Sequence, residues 1–482
     1  MSRTSGVLMH ISSLFGDYSC GSFGEEAKYF VDFLADCGFS WWQVLPFCLV
    51  DECNSPYKSY SAFAGNPYFI DLSELNKKGL ITEEELLSAK QQTPYSCEYT
   101  RLYHTRYPIL MEASKRTSER DKIEKFISEN PYLDKFCTFM ALKEANNQKP
   151  WNEWENHAPD SDTLFMWKFI QYEFFAQWSE IKEYANSKGI KIIGDIPIYV
   201  SFDSADVWSN KELFDLDEDF TPLHVAGVPP DYFSEDGQLW GNPLYKWDIM
   251  KKDGFSWWKD RLSHAFKMFD SVRIDHFRGL ESYWSVERDK KTAREGKWEK
   301  GPGKDFIDMI HSSFPDNMVI AEDLGEITEE VNELVKYSGF PGMKVFQFGF
   351  FGDYNNTHQP HNYPENCIAY TGTHDNNTLL GYVWELGENE RKNMLSYCGY
   401  DNPDWNNGYD NILKTMFQSH AKTVILPIQD VLGYGSDTRL NIPGKPDGNW
   451  QFRITKEHLD AINKEKYRKL NYIYGRKKPV SN

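Results

Sequence analysis

Three carboxylates stand at the ends of short apolar runs: Asp275 after SVRI, Glu322 after MVIA and Asp375 after AYTGTH. Such a run reads as a buried strand, and its end is where the chain meets solvent, so these side chains would line a mouth and not a core. Two carboxylates on either side of an anomeric carbon can cleave a glycosidic bond. One serves as nucleophile or base and the other as proton donor, provided that their environments push their pKa values apart. A third carboxylate can bind sugar hydroxyls and favour a distorted ring.

Arg273 lies two residues before Asp275, hence on the same strand face, and would hold it in the charged form that a nucleophile needs. Glu322 follows an apolar run, and a partly desolvated glutamate has the raised pKa of a general acid. Any one acidic strand end is equally well explained as a loop cap or an ion pair. Three together, one flanked by Arg273 and another by His374, favour catalysis. Metal binding is the rival use of these groups, but Asp275 with His276 and His374 with Asp375 are adjacent pairs. Neighbours along a strand point to opposite faces, so neither pair readily chelates one ion, and no metal is expected. The chain has no GxSxG elbow, no Walker A and no GxGxxG, which argues against a serine hydrolase and against phosphate or dinucleotide cofactors.

The elements that would position these groups recur along the chain. Eight short apolar runs end in polar residues: 7–10, 40–46, 190–200, 271–277, 318–324, 343–348, 367–375 and 423–430. Amphipathic stretches lie between them, such as 25–38, 173–189 and 328–339, each closing on glycine as helices commonly do. Strand and helix alternating eight times predicts an α/β fold, a (β/α)8 barrel with its site at the C-terminal ends of the strands. The gap between the second and third runs is too long for one crossover. Residues 71–170, charged and helix-rich, read as a helical subdomain inserted in the barrel, and 203–257, aromatic and loop-like, as a second insertion. All of 1–482 then forms one catalytic unit.

Composition narrows the ligands. The 53 Lys and Arg against 72 Asp and Glu leave a net charge of -19, which repels nucleic acid and anionic lipid and favours a neutral or cationic ligand. Aromatic residues make up 16% of the chain, and aromatic faces stack on the C–H faces of pyranose rings, although most of them must serve the core. The eight cysteines form no CxxC pair and read as buried free thiols of a reducing compartment. The apolar stretch near the N-terminus is five residues, shorter than the roughly 7 to 15 of a signal peptide. No run approaches the roughly 18 apolar residues of a membrane span. A cytoplasmic protein is expected.

Several stretches together carry a family resemblance: SPYKSYSAFAGNPYFIDL (55–72), GDIPIYV (194–200), GQLWGNPLY (237–245), VRIDHFRG (272–279), AEDLG (321–325) and GTHDNNT (372–378), with matches continuing to NIPGKPDGNW (441–450). The chain resembles the 4-α-glucanotransferases called amylomaltase or disproportionating enzyme, relatives of the α-amylases. The resemblance implies an α-amylase-type barrel without a C-terminal β-sandwich. It implies Asp275 as nucleophile, Glu322 as general acid/base and Asp375 as transition-state stabiliser. It further implies that Tyr57 stacks at the sugar on the donor side of the cut, with Asp195, Arg273 and His374 holding its hydroxyls.

By the same resemblance 228–243 forms a lid that brings Trp240 near bound glucan. The implied partners are α-1,4-glucans, maltooligosaccharides and glucose, with no cofactor. The segment CLVDECN (48–54) lacks the Gly- and Tyr-bearing stretch that serves a second glucan site in some relatives, so that site is not expected. An α-glucan hydrolase would use the same carboxylates, and a silent glucan-binding protein would need only the aromatics.

Overall fold

A computed structural model of the chain describes residues 3–50, 53–230, 234–352, 355–402, 405–445 and 447–477. Four of the stretches singled out above are touched by the gaps. Residues 231–233 of 228–243 and of 203–257, 51 and 52 of 48–54, and 446 of 441–450 lie outside the described residues.

Eight parallel strands form the centre: β1 Thr4–Leu8, β2 Trp41–Gln43, β3 Lys191–Pro197, β4 Ser271–Asp275, β5 Met318–Ala321, β6 Gly342–Val345, β7 Cys367–Tyr370 and β8 Thr423–Pro427. The ladder runs β6-β7-β8-β1-β2-β3-β4-β5. Its two ends meet where the Ala321 N–H donates to the Pro341 carbonyl at 3.0 Å and the Met343 N–H donates to the Asp323 carboxylate at 2.6 Å. The chain thus closes into a nearly complete barrel, and all eight expected runs supply its strands.

Alternation along each strand sorts the side chains. Leu8, Trp41, Ile193, Ile320, Met343, Val345, Ile368, Tyr370 and Ile425 pack as one interior cluster. Val272 and Ile274, on the other face of β4, join the larger layer beneath the helices. The interior is tight: a Cβ on Gly6 would sit 2.5 Å from the Trp41 Cβ, so only glycine on β1 leaves room for that indole. Further up, the inward positions turn polar, with Asp195 on β3 and Arg273 and Asp275 on β4.

Helices Glu25–Cys37, Ser161–Ser187, Ser256–Met268, Gly303–Ser313 and Glu329–Ser338 cover the outside, the first and last closing on left-handed Gly38 and Gly339 as expected. The alternation fails once. Between β6 and β7 the described residues form only 3-10 turns, at Phe346–Phe350 and Pro360–Asn362.

Within 71–170 lie the helices Leu72–Lys77, Glu83–Ser88, Tyr99–Arg116, Arg120–Ser128 and Pro131–Ala145, followed by the first turns of Ser161–Ser187. That last helix begins well before the expected 173, at the cap of Asp160, whose carboxylate accepts from the Asp162 and Thr163 N–H groups. The stretch 203–257 is less loop-like than its composition predicts. It contributes His224–Val228 and Gln238–Pro243 to a four-stranded antiparallel sheet completed by Ser282–Glu287 and Gly296–Lys300, which follow β4. The pairing is non-local, so neither half announces it alone. Beyond β8 the described residues add short helices and no further strand.

Two cysteines depart from the expectation of burial: Cys53 is exposed and Cys48 half-buried, while the other six are buried and free. No helix among the described residues is long and apolar enough to cross a membrane.

Candidate active site

The β3/β4 register sets Asp195 directly against Arg273, and the β4/β5 register pairs Ile274 with Ala321. Asp275, the last residue of β4, and Glu322, the first residue past β5, therefore stand level at the ends of neighbouring strands, whose backbones run about 4.8 Å apart. The Glu322 N–H donates to the Ile274 carbonyl at 3.2 Å, and the Phe277 N–H donates to that of Glu322 at 3.2 Å.

Arg273 organises this rim. Its Nη1 donates to both Asp195 oxygens at 2.8 and 2.7 Å, and its Nη2 to Asp275 Oδ1 at 2.7 Å. Its Nε rests 3.4 Å from the Met343 sulfur. Burial works against the guanidinium charge, but the two carboxylates outweigh it and raise its pKa well above the usual value. Asp195 is buried and pushed up by that burial, against the pull of Arg273. Such a fixed, desolvated ion pair pre-orients the free face of Asp275, whose side chain keeps 29% exposure to the cleft.

Glu322, only 9% exposed, is the opposite case. Burial pushes its carboxyl up to about 7, Asp275 adds to the rise, and the Arg273 charge and two backbone donors limit it. Those donors are the His276 N–H on Oε2 at 2.7 Å and the Leu324 N–H on Oε1 at 2.9 Å, and together they fix the plane of the carboxyl. His276 presents its N–H because its backbone turns left-handed, at φ +53°. Its imidazole is lowered to about 4 by burial and meets the Trp240 ring edge-on at 4.8 Å.

Asp375 does not sit at a strand end. β7 stops at Tyr370, and Asp375 lies in the loop beyond it, its side chain 45% exposed. Asn441 Nδ2 donates to its Oδ1 at 2.6 Å and Arg439 Nη2 to its carbonyl at 2.6 Å. The alternation rule that separates His374 from Asp375 does not apply off the strand, and His374 Nε2 lies 3.3 Å from Asp375 Oδ2. Burial tends to raise the Asp375 carboxyl, but the His374 charge and hydrogen bond, with Asn441, bring it down to about 2. His374 responds in kind: burial opposes its charge, and Asp375 raises it nevertheless.

Tyr57 joins the two halves. Its hydroxyl donates to Asp195 Oδ2 at 2.7 Å, and its ring stacks on His374 at 5.0 Å and 15°, with Trp450 tilted 6.0 Å away. The structure thus brings together Tyr57, Asp195, Arg273, Asp275, Glu322, His374 and Asp375, with Trp240 against His276. Sequence reasoning assigned nothing to Arg439, Asn441 or Trp450. For Asn441 and Trp450 the signal was the motif 441–450 itself, polar and shortly after the last strand; Arg439 lies just before it. Among the described residues no cluster of three or more His, Cys, Asp or Glu is arranged to hold a metal.

A buried glutamic acid near neutrality beside an arginine-bound aspartate suits glycosidic bond cleavage, and a barrel rim is where enzymes of this architecture carry their chemistry. Fold and site together define a barrel enzyme acting on glycosides. The chain belongs to the 4-alpha-glucanotransferase family, whose family pattern matches residues 9–459. It is 43% identical to a 4-alpha-glucanotransferase of Clostridium butyricum over 97% of this chain and 100% of that one. The relative from Aquifex aeolicus is 41% identical over 98% and 99%. Among solved structures, amylomaltase from Streptococcus agalactiae in complex with acarbose superposes with a TM-score of 0.95 at 40% identity, covering 99% of this chain and 100% of that chain.

Proposed function

We propose that the protein is a 4-α-glucanotransferase working by retaining double displacement. The observation that carries the mechanism is the placement of Asp275 and Glu322 level at the ends of adjacent strands, the first held by Arg273 and the second desolvated to a pKa of about 7. Asp275 attacks the anomeric carbon of an α-1,4-glucan while Glu322 gives its proton to the departing 4-oxygen. The C1–O4 bond breaks and a glucosyl ester on Asp275 forms. Glu322, now a carboxylate, takes the proton from the 4-hydroxyl of an incoming glucan or glucose, whose oxygen displaces Asp275. Asp375 binds ring hydroxyls and favours the distorted sugar of the transition state, while Tyr57, Asp195, Arg273 and His374 hold the donor sugar and Trp240 flanks the groove.

Transfer is favoured over hydrolysis by kinship: the relatives that align along nearly the whole chain carry the transferase name. Maltooligosaccharides serve as donors, and maltooligosaccharides or glucose as acceptors. We read 71–170 and 203–257 as units mounted on the one catalytic barrel. The six buried free thiols support a cytoplasmic setting.

A time course with maltotriose and no added cofactor tests this. Longer maltooligosaccharides plus glucose, at nearly constant reducing ends, are expected. Reducing ends that rise without longer products would make the protein a hydrolase.

A further inference from the structure

The loop that carries His374 and Asp375 begins at Thr371, just past β7, and ends at Leu379, the first residue of helix Leu379–Glu385. Both ends reach one side chain. Asp430, fully buried in the short helix Ile428–Leu432 after β8, accepts from the Thr371 hydroxyl on Oδ2 at 2.5 Å and from the Leu379 N–H on Oδ1 at 2.7 Å. Its own carbonyl accepts from the Tyr409 hydroxyl at 2.7 Å, which ties it to helix Trp405–Gln418. A carboxylate with one oxygen on each end of a loop fixes the distance between those ends.

The same short helix reaches the other side of Asp375. Gln429 Nε2 donates to the Thr438 carbonyl at 3.2 Å, next to Arg439, which with Asn441 holds Asp375 from that side. Between the two, Gln347 Nε2 donates to the Asn377 carbonyl at 2.8 Å, and a Cβ on Gly372 would sit 2.6 Å from that Nε2. The loop has little room to settle elsewhere without losing these bonds.

Resting on the glucanotransferase reading of the site, we propose that Asp430 is a positioning residue: by bridging Thr371 and Leu379 it sets where Asp375 meets the transition state. Capping of the Leu379 helix alone would not require it, because the Thr378 side chain already accepts from the Gly381 N–H at 3.1 Å. What the bridge needs is an acceptor of this size in this place. Burial pushes the Asp430 carboxyl up to about 7, so a neutral amide is tolerable there. An asparagine can accept from the Leu379 N–H and donate to the Thr371 oxygen.

The test is steady-state kinetics with maltotriose on Asp430→Ala, Asp430→Asn, Thr371→Val and, as control, Asp375→Asn, with folding checked by near-UV circular dichroism. Displacing a reacting group by about 1 Å costs on the order of a hundredfold. Folded Asp430→Ala should therefore lose about that in kcat, with KM within about threefold, and Asp430→Asn should recover to within about threefold of the parent. If Asp430→Ala does not fold, Thr371→Val carries the test, with an expected fall in kcat of about tenfold at unchanged KM for the loss of one hydrogen bond. Unchanged kcat in the folded variants, or an asparagine as damaging as alanine, would overturn the proposal. If Asp375→Asn itself leaves kcat intact, the reading of the site fails, and that outcome is distinct from a silent Asp430 beside a damaging Asp375→Asn.

Discussion

On the β4 and β5 side of the mouth, Asp275 and Glu322 hang directly from the ladder. On the β7 and β8 side, Asp375 stands in a loop beyond the last ladder bond of its strand. The first pair inherits its placement from strand register, which the barrel core enforces: slipping β4 by one residue would turn Arg273 and Asp275 outward and Val272 and Ile274 inward. The loop carboxylate has no register to rely on. Asn441 and Arg439 hold it from another segment, and His374 holds it electrostatically. On the proposed roles, a rim built both ways keeps the bond-making groups rigid and lets the hydroxyl-binding group depend on contacts that side-chain changes can loosen one at a time.

Mutations on the two sides should therefore differ in size and in kind. The largest effect is expected at Asp275. Asp275→Asn keeps the shape and an acceptor for Arg273 but removes the proposed nucleophile, so transfer from maltotriose should fall about ten-thousand-fold or more while the fold is retained. Activity within tenfold of the parent would take Asp275 out of that role. Glu322→Gln comes next, at about a thousandfold, because in the proposed mechanism one general acid/base serves both half-reactions. A donor with a good leaving group, such as an α-glucosyl fluoride, should restore the first half-reaction, read as the initial release of fluoride, and not the second. A release of fluoride as impaired as cleavage of maltotriose would mean that Glu322 is not the proton donor.

How legible these two sides were follows from the same difference. Period-two alternation in SVRID is enough to put Arg273 and Asp275 on one face, and the apolar run MVIA is enough to bury Glu322. Those are local facts, and the structure meets them residue for residue. The contact between His374 and Asp375 was read wrongly because alternation was carried past the end of β7. The grip of Asn441 and Arg439 on Asp375 spans more than sixty residues of chain, so no local pattern encodes it. Distance also hid the four-stranded sheet, in which His224–Val228 finds Ser282–Glu287 on the far side of β4. The lack of an α-helix among the described residues between β6 and β7 has a local cause: FQFGF, whose first three residues read as the end of a strand run, packs as a 3-10 turn.

A smaller effect on the loop side sharpens the contrast. Asn441→Ala removes one hydrogen bond to Asp375, and bonds to charged groups are worth about 1.5 to 3 kcal/mol, so kcat should drop by roughly tenfold to a hundredfold. That is well short of the change expected at Asp275. A loss as large as that of Asp275→Asn would show that the loop carboxylate is as central to bond-making as the strand pair, and the two sides would not differ in kind.

The pH profile separates the sides with the least perturbation. As the proposed acid, Glu322 must be protonated to begin the reaction, and burial lifts its pKa to about 7, so kcat/KM should decline as pH rises through about 7, approaching tenfold per unit beyond it. Asn441 touches Asp375 and not Glu322. Asn441→Ala should therefore lower the whole profile while leaving its alkaline midpoint within about 0.3 unit of the parent's, a shift worth about 0.4 kcal/mol. If the midpoint moves by a full unit, the loop carboxylate and the strand acid titrate as one coupled system, and the division between the ladder-held and the loop-held side would be geometric only.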